Sequence, residues 1–183
     1  MAAPATPRLY TWDEIKDWPE SNVRTELVDG ELVVSPSPTP RHQDTVLRLT
    51  LCLSEHLKEK NLGKLFLGPL DIVLDEAVVY QPDLFFITEA RIAVSQPEKF
   101  EGPPDLAIEV ISEHNRSHDT SVKFRHYEQY GVREYWLVDH RDQHIRVYSL
   151  ADGKYELVGA FEAGSQLKSM VLPEFKLDPA DVL

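Results

Sequence analysis

Two carboxylates stand where the chain offers them no obvious water. Glu109 lies inside Leu106-Ala-Ile-Glu-Val-Ile111, an apolar run of strand length between the Pro103-Pro104 pair and the polar stretch Ser112-Glu113-His114-Asn115. A run this rich in Ile and Val reads as a strand buried on both faces. An ionised carboxylate is rarely found in such a place unless it is paired or bound to a metal. A cation therefore belongs beside Glu109. Pro82-Asp83-Leu84-Phe85-Phe86-Ile87 repeats the anomaly. By strand alternation Asp83 shares a face with Phe85 and Ile87, and Glu109 shares one with Ala107 and Ile111. If the two strands are neighbours and both acids face one side, their oxygens converge and suit a hard divalent ion such as Mg²⁺. The alternative makes Asp83 a strand-opening residue after proline and pairs Glu109 with an arginine.

A third anomaly follows on the next helix. Phe124, Tyr127 and Tyr130 fall at helical spacing and define an inward face. Lys123 lies on that face or at its edge, where it either extends its ammonium to water or finds an anion. With two unexplained acids nearby, the anion is the better partner. On this reading Lys123→Ala keeps the fold and loses the chemistry.

Other chemistries are less well supported. His114 and His118 are four apart, with Asp119 adjacent and His126 further on, and on a helix such a pair could bind Zn²⁺. Residues Ser112 to Ser117 read as loop, however, and no third ligand stands at a useful spacing. No Gly-x-Ser-x-Gly occurs. Cys52, the only cysteine, sits among leucines as a small core residue.

The elements that must position these groups can be read in order. Thr11 and Glu14 form a capping box for a short helix stopped by Pro19. Arg24 to Val34 is a hairpin turning at Asp29-Gly30. After the Pro-rich loop Ser35–Pro40, a helix capped by Thr39 runs to about Lys60. Val46, Leu49, Leu53 and Leu57 form its apolar face, widened by Leu47 and Leu51, and Gly63 marks its stop. Two or three strands occupy Lys64 to Ile87, and Arg91 to Gly102 is loop with a short helix. The Leu106 strand is followed by a helix from about Asp119 to Tyr130, closed by Gly131. Tyr135–Asp139, Ile145–Ser149 and Tyr155–Val158 are strands, the last two joined at Asp152-Gly153, and Met170–Leu172 would pair further. Hairpins at both ends and alternating helices and strands between them predict an α/β fold with a mixed central sheet flanked by helices. One domain spans 1–183, with 1–23 a helical lead-in and 150–183 a C-terminal strand extension.

The 183 residues, 42% hydrophobic and 27% charged, suit an ordinary globular chain. No apolar run reaches membrane-helix length. Met1 to Pro7 shows no basic segment leading into a long apolar one, so the cytoplasm is the expected location by default. The net charge of −12 argues against a sequence-blind nucleic-acid coat. It leaves open an enzyme whose carboxylates hold cations and whose basic patch is local.

Glu26 with Asp29-Gly30, His42, Pro82-Asp83, Asp105 to Ser112, Lys123, Tyr130 and the run Glu134-Tyr-Trp-Leu-Val-Asp139 together resemble the Uma family of restriction endonucleases, within the PD-(D/E)XK nuclease superfamily. The resemblance covers roughly Arg24 to Tyr148 and implies a restriction-endonuclease-like fold and metal-dependent cleavage of nucleic acid, DNA above all. The superfamily pattern places Lys two residues after the strand acid, where this chain has Ile111. Lys123 matches the family's displaced lysine on the following helix. The resemblance further implies that Asp83, Glu109 and the backbone carbonyl of Val110 hold Mg²⁺, or Mn²⁺ in its place. Lys123 would orient or deprotonate the attacking water or stabilise the oxyanion, and Glu26 would add an acid to the site. Otherwise Glu26 is a solvated hairpin residue. His42 near a helix N-terminus is a candidate phosphate contact, or else a surface histidine. A homodimer would suit an enzyme that cuts both strands. The competing reading is a catalytically inactive binding or assembly module on the same scaffold.

Overall fold

The structure, a computed structural model, describes residues 8–19, 21, 23–92, 100–112 and 116–183. In chain order the elements are α1 (Trp12–Ile15), β1 (Thr25–Val28), β2 (Glu31–Val34), α2 (Pro40–Lys60), β3 (Gly63–Leu67), β4 (Ile72–Asp75), β5 (Val78–Tyr80) and β6 (Leu84–Thr88). They continue with α3 (Glu89–Ile92), β7 (Phe100–Glu101), β8 (Leu106–Val110), a π-helix His118–Lys123, α4 (Phe124–Tyr130), β9 (Glu134–Asp139), β10 (His144–Ala151) and β11 (Lys154–Glu162). A last 3₁₀ turn covers Pro179–Asp181.

The turn chemistry is where the sequence puts it. Asp29 and Gly30 have φ of 51° and 85°, and Asp152 and Gly153 have φ of 49° and 77°. Positive φ at both central residues matches the twist of the flanking strands, so each Asp-Gly closes a tight hairpin, β1–β2 and β10–β11. Thr39 caps α2 by accepting from the His42 amide at 3.2 Å, with Pro40 in the first turn. The stop comes two residues before Gly63, at Asn61, whose left-handed φ of 50° lets its N–H reach Leu57.

The fold is the mixed α/β one expected, with helices flanking mixed sheets, of which the described residues form two. Among the described residues the orders are β11-β10-β9-β8-β6-β3 and β2-β1-β5-β4-β7. In the larger sheet β8 runs antiparallel to β6 and parallel to β9. One face of β6, β8 and β9 presents Leu84, Phe86, Ile108, Val110 and Trp136 to Leu49, Leu53 and Leu57 of α2. The opposite face of β8 and β9 presents Ala107, Tyr135 and Leu137 to Tyr127 of α4 and to Val78 and Tyr80 of β5. Glu109 belongs to this second face. Leu47 and Leu51 do not widen the apolar face of α2: they are 55% and 61% exposed, because the sheet contacts only the stripe through Leu49, Leu53 and Leu57. The region 63–88 holds four strands, the short β5 among them.

The strand expected at Met170–Leu172 is absent. This segment instead folds over the Glu134 carboxylate, which is buried at the start of β9. Glu134 accepts from Trp136 Nε1 at 2.6 Å, Ser169 Oγ at 2.7 Å, Val171 N at 3.1 Å and Met170 N. The clasp holds down a tail whose Leu167, Leu172, Phe175 and Leu177 cover the α2 face of the sheet. Glu134→Ala orphans these donors at about 1–3 kcal/mol each, and retreat of the tail into water caps the total near ~2–3 kcal/mol. Urea denaturation should show that loss, and limited proteolysis should cut first between residues 163 and 183. A wild-type midpoint with an uncut tail would exclude the clasp.

Candidate functional site

Leu84 pairs with Ile108 and Phe85 with Ala107 across β6 and β8, so the residue before β6 falls opposite Glu109. Asp83 occupies that position, and its Oδ2 accepts from the Val110 amide at 2.8 Å. The two acids thus arrive from neighbouring strands on one side of the sheet, as this register dictates. Glu26 comes from β1, its Oε1 accepting from Gln81 N at 2.9 Å. It is buried, so it is no solvated hairpin acid.

Lys123 reaches into this group from the end of the π-helix. Its Nζ lies 2.8 Å from Glu109 Oε1, 2.9 Å from Glu26 Oε1 and 3.7 Å from Asp119 Oδ1, and 5.4 Å from the centre of the Tyr80 ring. The residue is 2% exposed. The widened π turn brings Asp119 and Lys123 to bear on one point, as such turns often do at functional sites. Truncation of a lysine buried among three carboxylates is expected to harm the fold as well as the chemistry. Tyr127 adds a hydroxyl donor to Glu109 Oε1 at 3.1 Å.

Arg24 completes the cluster. Its Nη1 donates to Asp83 Oδ1 at 2.8 Å, its Nη2 stands 3.6 Å from Glu109 Oε2, and its Nε stands 3.8 Å from Glu26 Oε1. The arginine pairing considered for Glu109 is therefore present together with the converging acids. Its Nε and Nη2 are buried and make no hydrogen bond among the described residues, and the side chain as a whole is 23% exposed.

Four carboxylates (Glu26, Asp83, Glu109, Asp119) thus face two full positive charges. Burial works against the Asp83 carboxylate, but the hydrogen bond from His42 and the charge of Arg24 outweigh it and hold it below its usual range. Burial also opposes Glu26, yet Lys123, His118 and Arg24 bring it to about 2. Burial raises Glu109, where Lys123 and Arg24 are offset by the charges of Asp83 and Glu26. Asp119 is pushed well up by burial and the neighbouring acids. Burial disfavours the Lys123 ammonium, but Glu109, Glu26 and Asp119 overcome this and raise it. The cluster is short of positive charge, and burial with mutual repulsion favours the protonated forms of Glu109 and Asp119 over those of Glu26 and Asp83.

A family model described as "Putative restriction endonuclease", Uma2, matches residues 12–180. The chain belongs to the Uma2 family. Among solved structures, a "putative nuclease belonging to DUF820" from Anabaena variabilis ATCC 29413 superposes with a TM-score of 0.79 at 21% identity, over 94% of this chain and 96% of that one. That likeness establishes the fold. No curated protein matches.

Among the residues this Uma2 chain was expected to use, Asp83, Glu109, Glu26 and Lys123 form one cluster. His42 joins it through Nε2, 3.1 Å from Asp83 Oδ2, and is buried rather than superficial. Of the zinc candidates, His118 Nε2 faces Glu26 Oε2 at 3.1 Å, whereas His126 Nδ1 bonds the Tyr80 hydroxyl. His114 lies outside the described residues, and residues 116–117, read as loop, are helical. Sequence reasoning missed Arg24, although the two-residue spacing from Glu26 placed both on one face of the strand. It also missed Asp139, Asp142 and His144, the one trio of such donors within 4.8 Å of one another among the described residues. Asp139 there is engaged by Arg116 at 2.6 and 2.8 Å and by the amides of Arg141 and Asp142. Burial opposes its carboxylate, but these bonds bring it to about 2. Its folded pKa is depressed, so its contribution is present above the ordinary aspartate range, near ~4, and is lost as pH falls through about 2. Stability of the wild type should therefore drop more steeply than that of Asp139→Asn over this window in urea titrations. Parallel curves would detach Asp139 from acid stability.

Proposed function

We propose that the chain is a metal-dependent phosphodiesterase, an endonuclease that cleaves nucleic acid, DNA foremost, by water attack supported by Mg²⁺ or Mn²⁺. One observation carries the reading: Asp83 and Glu109 converge from adjacent strands beside a buried lysine, at a cation-poor centre that borders an open cavity.

The residues fit a hard divalent ion. The donors are oxygens, as Mg²⁺ requires, and the four acids outnumber the fixed cations. The Val110 amide turns to Asp83. N–H and C=O of one strand residue face the same neighbour, so the Val110 carbonyl points to that edge too. Asp83, Glu109 and this carbonyl would hold the ion, which supplies Lewis acidity toward the phosphate and makes water acidic enough to attack at neutral pH.

The chain's own groups do the rest. Lys123 keeps its proton more firmly than a free lysine, so it acts as a donor. It orients the water and stabilises charge developing on the phosphate oxygens. Tyr127 fixes Glu109, and Glu26 fixes Lys123 and His118. Arg24 balances Asp83 and Glu109, and being part exposed it is the cation that can yield its place.

Thermal denaturation tests the reading. At about ten times Kd, metal should add ~1.4 kcal/mol, or roughly 3–6 °C for a chain of this size. An oligonucleotide should be cut only with Mg²⁺ or Mn²⁺, and chelator should reverse both effects. The second reading, an inactive binding or assembly module, draws on Ile111 standing where a catalytic lysine is usual and on Arg24 reaching three of the four acids. No metal response and no cleavage would favour it.

A further inference from the structure

Beside Asp83 opens a cavity of about 610 Å³ lined by Arg24, Arg41, Arg116, Arg141, His42 and His140. Asp83 is the one acid among the described residues of its wall. In a chain with 31 acidic and 19 basic residues, this reversal of sign is local and concentrated at the candidate site. Arg24 is taken up by Asp83, and Arg116 by Asp139. Arg41 and Arg141 are exposed and have no ion pair among the described residues.

The position of Arg41 is unfavourable in the free protein. It stands in the first turn of α2, where the helix dipole is positive, and that turn contains no acid. His42 and His140 lie close by. Burial, with the charges of Arg41 and His42, pushes His140 below its usual range. His42 is 8% exposed, yet its Nδ1, like that of His140, is buried with no hydrogen-bond partner among the described residues. Like charges gathered at a positive helix end, with polar atoms left unanswered, are relieved by an anion.

We infer that this groove carries the sugar-phosphate backbone of the strand to be cut, with Arg41 and Arg141 gripping phosphates that flank the scissile one. The inference rests on the nuclease reading and adds to it the residues that hold the substrate. Each phosphate contact releases counterions, so it shows in the salt dependence of binding whatever the base sequence. Phosphate contacts position and do not read bases, so the groove itself is indifferent to sequence.

Fluorescence anisotropy with a single-stranded and a duplex oligonucleotide, in chelator and over a salt series, tests this. Arg41→Ala and Arg141→Ala should each weaken binding about tenfold, the worth of one charge-assisted contact. Each should lower the slope of log K against log salt by about 0.7 on single strands or 0.9 on duplex. Arg41→Lys should keep the slope, and Arg125→Ala, outside the groove, should match wild type. Thermal midpoints should be unchanged or higher. Wild-type binding with unaltered slopes in both alanine variants overturns the groove and leaves the nuclease reading in place. An equal loss in Arg125→Ala also overturns it. Wild type that neither binds nor cuts either oligonucleotide overturns both.

Discussion

Truncating Lys123 to alanine should cost the fold about 3–5 kcal/mol and make its stability depend on divalent metal. The side chain is the one full positive charge that touches Glu26, Glu109 and Asp119 together. Without it, these acids keep, among the described residues, Arg24, Tyr127, His118 and the Gln81 amide as partners, and much of the desolvation they have undergone goes uncompensated. Mg²⁺ should therefore stabilise Lys123→Ala more than wild type. Lys123→Met, which keeps most of the volume, should be nearly as unstable, because the lost term is charge rather than packing. The sign with pH is fixed. Glu109 and Asp119 hold their protons more tightly folded than unfolded, so lower pH favours their folded state, and that benefit fades as pH rises through the folded values. The deficit of the variant should shrink as pH falls toward the ordinary carboxylate range. Urea denaturation with and without metal over that pH range measures all of this. A variant as stable as wild type without metal would show that Lys123 does not compensate the acids.

The legible parts of this chain were those governed by local rules. Asp-Gly turns, the Thr39-Pro40 start of α2 and the Gly131 stop of α4 each depend on one or two residues whose backbone preferences leave few choices. Alternation likewise fixed the face of each acid within its own strand, and the register between β6 and β8 then brought Asp83 and Glu109 to one side. What stayed hidden depends on contacts distant in sequence. Leu47 and Leu51 are indistinguishable from Leu49 and Leu53 until the sheet that covers only half of them is known. Met170–Leu172 has the composition of a strand, but Glu134 captures its amides first. The π turn at His118–Lys123 leaves no trace in composition, yet it decides which atoms of the helix reach the acids. Arg24 was missed because an arginine before a strand looks like a surface residue until three carboxylates are found around it.

Glu109→Gln and Asp83→Asn should both lower cleavage by about a thousandfold or more, on the scale of losing one preorganised charge-stabilising group, while moving stability in opposite directions. Glu109 is raised by burial and by its acidic neighbours, so a neutral amide of the same shape removes repulsion. Its carbonyl can still accept from Lys123 and Tyr127, as Oε1 does now. Metal-free Glu109→Gln should match wild type or exceed it by ~1 kcal/mol. Asp83 is the reverse: its carboxylate is held charged by Arg24, His42 and the Val110 amide, and replacing it should cost ~1–3 kcal/mol. Both variants should lose the stabilisation given by Mg²⁺, because each removes an anionic donor. The pairing of the two results discriminates. A structural ion-pair network predicts destabilisation from both substitutions and no common metal defect. A site that tolerates repulsion in order to receive a cation predicts one variant that gains stability as it loses activity. If Glu109→Gln destabilises the metal-free protein as much as Asp83→Asn does, Glu109 serves the fold, and the metal site must be sought elsewhere.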